Sequence, residues 1–180
     1  MKTLLKHIAV FILLISVLAC TPKNTLQSYF VENEEATAFV SMDIPISYLN
    51  SKKIVLSEDQ SNAIDSIEKL NMIAYSLADG SQEEFESELV KIKEILKLDI
   101  YNDLMRMGNS SDGKVQILYI GDDSEIDELI IFGYSFKKGF TVVRVLGDNM
   151  QLSKILQLGD VINQLDTENT NIDSFMKYLL

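Results

Sequence analysis

The chain has 180 residues, 47% of them hydrophobic and 24% charged, with 27 acidic side chains against 16 basic ones and a formal charge of −11. That length suits one substantial core and leaves little room for a second, while the apolar and charged fractions exclude a wholly disordered chain and a multi-span membrane protein. Lys2 and Lys6 are the only charged groups before residue 20, so the remainder holds 27 acidic against 14 basic residues, a net −13. Binding to phosphate backbones needs the opposite sign, and no nucleic-acid partner is expected.

Lys2 and Lys6 precede an uncharged run at residues 8–19, IAVFILLISVLA, the charged start and apolar middle of a secretory signal. As a helix its twelve residues reach about 18 Å, short of the roughly 30 Å hydrocarbon core, so no stable span is expected. The run ends Val17-Leu18-Ala19-Cys20, which resembles a bacterial lipobox, with Leu18 bulkier than is usual at its position. Cys20 is the only cysteine. It has no partner for an internal disulfide, and as a free thiol in an oxidising compartment it would be a liability. Residues 1–19 are therefore expected to be a lipoprotein signal peptide, Cys20 the site of lipidation through its sulfur and its amine, and residues 20–24 a lipidated tether. The competing reading is an ordinary secreted protein. No acidic run follows Cys20, and Thr21 is not the aspartate that retains enteric lipoproteins in the inner membrane. The expected location is the periplasmic face of the outer membrane, reached through the lipid anchor.

Residues 25–180 are expected to form a single α+β domain. Residues 25–32 suit a short helix and 36–42 a strand. Asp43 before Ile44-Pro45 has the look of an N-cap with proline in the first turn. Ser57 with Gln60 suggests a second helix start, with Ala63, Ile67 and Leu70 on one face, and an irregular segment is the competing reading. Residues 70–77, LNMIAYSL, are apolar on both alternations, as in a strand buried on two sides. The plainest element is residues 81–98. Ser81 and Glu84 suggest a capping box, Glu83 and Glu84 at the start and Lys93 and Lys97 toward the end complement the helix dipole, and Phe85, Leu89, Ile92 and Leu96 form a stripe. The period then drops to two. Four strands are predicted at 100–107, 114–121, 127–136 and 140–146, with hairpin-length turns that imply an antiparallel meander. Gly147-Asp148-Asn149 should close the last strand before a helix near Met150, DTENTN at 166–171 a loop, and residues 172–180 a short docked helix. The fold class is thus a mainly antiparallel sheet with a C-terminal strand meander, packed against helices.

At this point the chain resembles a family of small Gram-negative lipoproteins, the domain of unknown function 4252. The likeness rests on the lipobox, on AFVSM and IAYSL, and above all on the run from Val115-Gln116-Ile117 through Asp127-Glu128-Leu129-Ile130-Ile131 to residues 140–148, FTVVRVLGD, with Leu152 opening the last helix pattern. The resemblance implies an anchored α+β envelope domain and no established activity.

His7 is the only histidine, so the mature chain lacks the groups for Ser-His-acid or Cys-His catalysis and for the common zinc sites. No catalytic, cofactor or metal residues are assigned. Asp122, Asp123, Glu125, Asp127 and Glu128 form the densest acidic cluster, without EF-hand spacing; a solvated hairpin turn is the expectation and a calcium site the competing one. Lys137, Lys138 and Arg144 offer a basic spot for lipid head groups, or simply a hairpin tip and the outward side of a strand. The aromatic residues stand at core-like positions, and Phe136 with Phe140 should staple their turn. Two functions follow: a non-catalytic envelope lipoprotein that binds a protein partner, or a carboxylate-dependent hydrolase of cell-wall or imported glycans, which needs two carboxylates about 5–9 Å apart across a cleft.

Overall fold

The computed structural model describes residues 24–44, 46, 56–109, 112–122 and 124–158. The leader, Cys20, Pro45, Asp123, the 166–171 loop and the 172–180 helix lie outside these residues. In chain order the elements are α1 (Leu26–Asn33), β1 (Phe39–Ile44), α2 (Glu58–Asp65), β2 (Ile67–Ser76), α3 (Gln82–Ile95), β3 (Asn102–Asn109), β4 (Gly113–Gly121), β5 (Ile126–Ser135), β6 (Gly139–Met150) and α4 (Leu152–Leu156). All six strands join one antiparallel sheet in the order β1-β2-β6-β5-β4-β3. The class is α+β, and β3 to β6 form the C-terminal meander that the hairpin-length turns predict.

Short polar side chains start the helices. Thr25 caps α1 reciprocally with Ser28, each side-chain oxygen accepting the other's backbone N–H at 3.1 Å. Ser57 and Gln60 do the same for α2 at 3.2 and 2.9 Å. In α3 only half of the expected box forms: Ser81 Oγ accepts the Glu84 N–H at 3.1 Å, but the Glu84 carboxylate accepts the Tyr75 hydroxyl at 3.0 Å. A tertiary contact has displaced the local one, and it fastens α3 to β2.

The α3 stripe of Phe85, Leu89, Ile92 and Leu96 is buried, together with Tyr29 and Phe30 of α1, over the face of the sheet that carries Phe39, Ile73, Tyr75, Phe132, Phe140 and Val142. Each such side chain contributes about 1.5–3 kcal/mol of hydrophobic stabilisation before ordering costs. Tyr75 and Phe140 stack with centroids 5.7 Å apart, and Phe39 meets both edge-on. On the opposite face, Tyr119, Leu129 and Val145 pack with Ala63 and Ile64 of α2 and Ile155 of α4. Met72 and Val143 make a smaller cluster on that face with Met42 and Ile131. Buried residues on both alternations of β2 account for its unbroken apolar sequence.

Several boundaries differ from expectation. β1 starts at Phe39, and Asp43 is no N-cap: it lies in the strand opposite Asn71 and pairs with Lys69 at 3.3 Å. Helix α2 stops at Asp65, so Ile67 and Leu70 belong to β2, drawn there by pairing with β6. β6 runs on through Gly147, Asp148 and Asn149 to Met150, with an irregularity opposite β5 where Asn149 takes φ 52°. The ladder to Ile126 resumes beyond that kink, which turn residues alone do not reveal. At the other end of β6, Gly139 has φ 125°, and a Cβ there would lie 1.9 Å from the Tyr75 carbonyl oxygen; only glycine lets the two strands close so tightly.

Candidate functional site

A groove of about 460 Å³ lies on the α3 side of the sheet, between the end of that helix and strands β3, β4 and β5. Register fixes its floor. Arg106 stands opposite Gln116, Gln116 opposite Phe132, and Lys114 opposite Tyr134, and all five side chains share the α3 side by strand alternation. The α3 wall supplies Lys93, and Lys97 follows just beyond the helix end.

The groove is cationic on an acidic protein. Lys93, Lys97, Arg106 and Lys114 line it against one carboxylate, Asp103. Lys93 Nζ sits 4.1 Å from the centre of the Tyr134 ring, a cation–π contact that holds the ammonium on the aromatic floor. Arg106 forks onto Asp103, and Gln116 adds a hydrogen bond of 2.5 Å to the same carboxylate. The Arg106 guanidinium holds the Asp103 carboxyl below the usual aspartate range. Among the described residues, Lys97 and Lys114 have no ion-pair partner. Chemically the site offers two free ammonium groups, a guanidinium and an aromatic floor, an arrangement suited to an anionic ligand.

The residues singled out from sequence are not brought together here. Asp122, Glu125 and Asp127 are exposed, but Glu128 is buried, and no group of three or more acidic, histidine or cysteine side chains suited to a metal occurs among the described residues. Arg144 corrects the sequence reading. It faces the helices at 4% exposure, gives Nε and Nη2 to Glu128 at 2.6 and 3.0 Å and Nη1 to Gln27 at 2.6 Å, and lies over Phe30. Alternation on β6 marks position 144 as sharing a face with Phe140 and Val142, but a charge there only makes sense once Glu128 arrives from β5. Lys137 and Lys138 remain exposed on the β5–β6 turn, far in register from Arg144. Phe136 and Phe140 each pack on Phe85, at 6.4 and 6.3 Å between centroids, so the turn is tied to α3 through a third ring.

The other buried carboxylate, Glu88 on α3, accepts the Tyr29 hydroxyl at 2.8 Å and the Lys91 ammonium at 2.5 Å. Burial first, and then this carboxylate, push the Tyr29 phenol well above its usual range. Both buried acids are thus tied to α1, one through Tyr29 and the other through Arg144 and Gln27. Sequence reasoning passed over the groove because Lys93 and Lys97 fit the helix dipole and Arg106 and Lys114 fit polar alternation. Only the pairing of Lys114 with Tyr134 signals it.

A family model described as a domain of unknown function, DUF4252, matches residues 29–158. No curated protein and no solved structure matches the chain.

Proposed function

Because the chain belongs to the DUF4252 family, whose description gives no activity, we propose a function from the site itself: a lipid-anchored envelope module that binds a protein partner without catalysis. The observation that carries this reading is the open cationic groove with two unpaired lysines, a recognition surface on a domain of opposite overall charge. The anchor rests on Lys2, Lys6, the apolar run at 8–19 and Cys20. The first described residue, Asn24, follows Cys20 by four positions, a reach of at most about 13–14 Å. Such an anchor puts the domain at a membrane surface, and the periplasmic face of the outer membrane is the location this reading assigns.

The competing reading, glycan hydrolysis, asks for one carboxylate free to attack and another kept protonated at neutral pH. Among the described residues, the buried carboxylates Glu88 and Glu128 are already committed to Lys91 with Tyr29 and to Arg144. Incubating the purified mature protein with peptidoglycan and glycan panels tests the choice. No product is expected; hydrolysis lost on replacing Glu88 or Glu128 by glutamine, in a variant that circular dichroism shows to be folded at the assay temperature, would make the hydrolase the better account.

A further inference from the structure

We propose that the free edge of β3, together with the cationic groove behind it, takes an extended acidic segment of a partner protein as an added strand. The inference rests on the binding-module reading and names the surface and the chemistry of its ligand.

Three observations converge on β3. It is the last strand of the sheet, with β4 on one side and no described strand on the other, so alternate backbone N–H and C=O groups face outward as a template for pairing. Beyond the irregularity at Leu104, residues 105–109 pair in register with residues 113–117 of β4, and Gly108 with φ 103° bends the end of this run, so the extended edge offered to a partner is residues 105–107. Two large apolar side chains are exposed on this stretch, Met105 at 46% and Met107 at 50%. Exposed apolar side chains on an unpaired edge strand are a surface that a partner strand can cover.

Charge selects the occupant. Side chains of an added strand alternate between the two faces. Those on the α3 side would enter the groove, where Lys97 and Lys114 are unpaired and Arg106 and Lys93 stand close by. Acidic side chains fit there, while those of the other alternation meet Met105 and Met107 on the opposite face. The remainder of the chain is strongly acidic and repels the same segment, so attraction is confined to this edge. A second copy of this chain pairing β3 against β3 would set Arg106 and Lys114 near their own counterparts. A flat anionic lipid surface would meet the net negative charge of the domain as well as the groove.

The test uses the full mature lipoprotein in neutral phosphatidylcholine nanodiscs and a fluorescent octapeptide alternating Glu with Val and Thr, against the same peptide with Lys for Glu. The Glu peptide should bind, raise fluorescence anisotropy and protect the amides of residues 105–107 from hydrogen exchange. The double variant Lys97→Glu/Lys114→Glu, both positions exposed, should keep its melting temperature and bind about tenfold more weakly. Equal binding of both peptides, undiminished binding by the variant, or protection away from β3 would overturn the proposal. So would preferential binding to phosphatidylglycerol vesicles, or protection of residues 105–107 by self-association alone. Failure here with no glycan hydrolysis and an intact lipid anchor would remove this surface as the binding site and leave only the anchored, non-catalytic part of the module reading standing.

Discussion

The buried Arg144–Glu128 pair gives the sharpest energetic prediction. Its side chains are 5% and 9% exposed, and two hydrogen bonds at 2.6 and 3.0 Å join them. Replacing Glu128 by Leu leaves a guanidinium without its counter-ion beneath α1, and replacing Arg144 by Met leaves a carboxylate in the same place. Breaking a buried pair from one side costs about 3–5 kcal/mol, whereas removing both charges into similar volume is often near neutral. Against a total stability of about 5–15 kcal/mol, and at about 2–4 °C per kcal/mol for a domain of this size, each single change should lower the melting temperature by about 6–20 °C. The double variant should be more stable than either single one, although Gln27 then loses the donor at 2.6 Å. Urea denaturation followed by far-ultraviolet circular dichroism measures all four proteins of the cycle. Single losses below about 1 kcal/mol, or a double loss equal to the sum of the singles, would refute the picture of a coupled, desolvated pair.

Leu89→Ala should cost about 2–5 kcal/mol, since Leu89 is buried under α1 and the sheet, while Glu86→Ala on the exposed side should cost well under 1 kcal/mol; equal losses in the same denaturation assay would mean the face is misassigned. Tyr29, Tyr75 and Tyr101 all have phenols raised above the ordinary range, chiefly by burial. A raised folded-state value gives stability that is complete below the unfolded phenol value near 10 and is lost as pH climbs above it. Titration at 295 nm should therefore show Tyr29 ionising only together with alkaline unfolding and Tyr75 and Tyr101 later than a free phenol, and early smooth titration of all seven tyrosines would contradict the raised values. Replacing Asp122, Asp123 and Glu125 by Asn, Asn and Gln should leave the melting temperature unchanged with or without millimolar Ca²⁺, because Asp122 and Glu125 are solvated; a calcium-dependent rise abolished by the triple change would restore the metal-site reading.

Periodicity carried much of the fold. The switch from the α3 stripe to alternation after residue 100 placed the meander, and Thr25, Ser57 and Ser81 each begin a helix through their own side chains. What local pattern missed was set by partners distant in sequence. Ile67 fits a helical face until β6 claims it, and Glu84 serves its own cap until the Tyr75 hydroxyl takes the carboxylate. Arg144 carries the same lesson for sites. One charged residue on an alternating strand has two possible faces, and the outward one is favoured until Glu128 is known to lie alongside. The groove was hidden for a related reason, since its four cations come from α3, the loop after it, β3 and β4, and each is unremarkable alone.

Anchoring of the domain through Cys20, as proposed above, is read out by the mass of the mature N-terminus. Wild-type protein isolated from bacterial membranes should give an N-terminal peptide that begins at Cys20 and carries diacylglycerol on sulfur and a fatty acyl group on the amine. Cys20→Ser should lose that mass and its labelled palmitate together. A mature wild-type chain that begins elsewhere, or begins at Cys20 without lipid, would contradict the account.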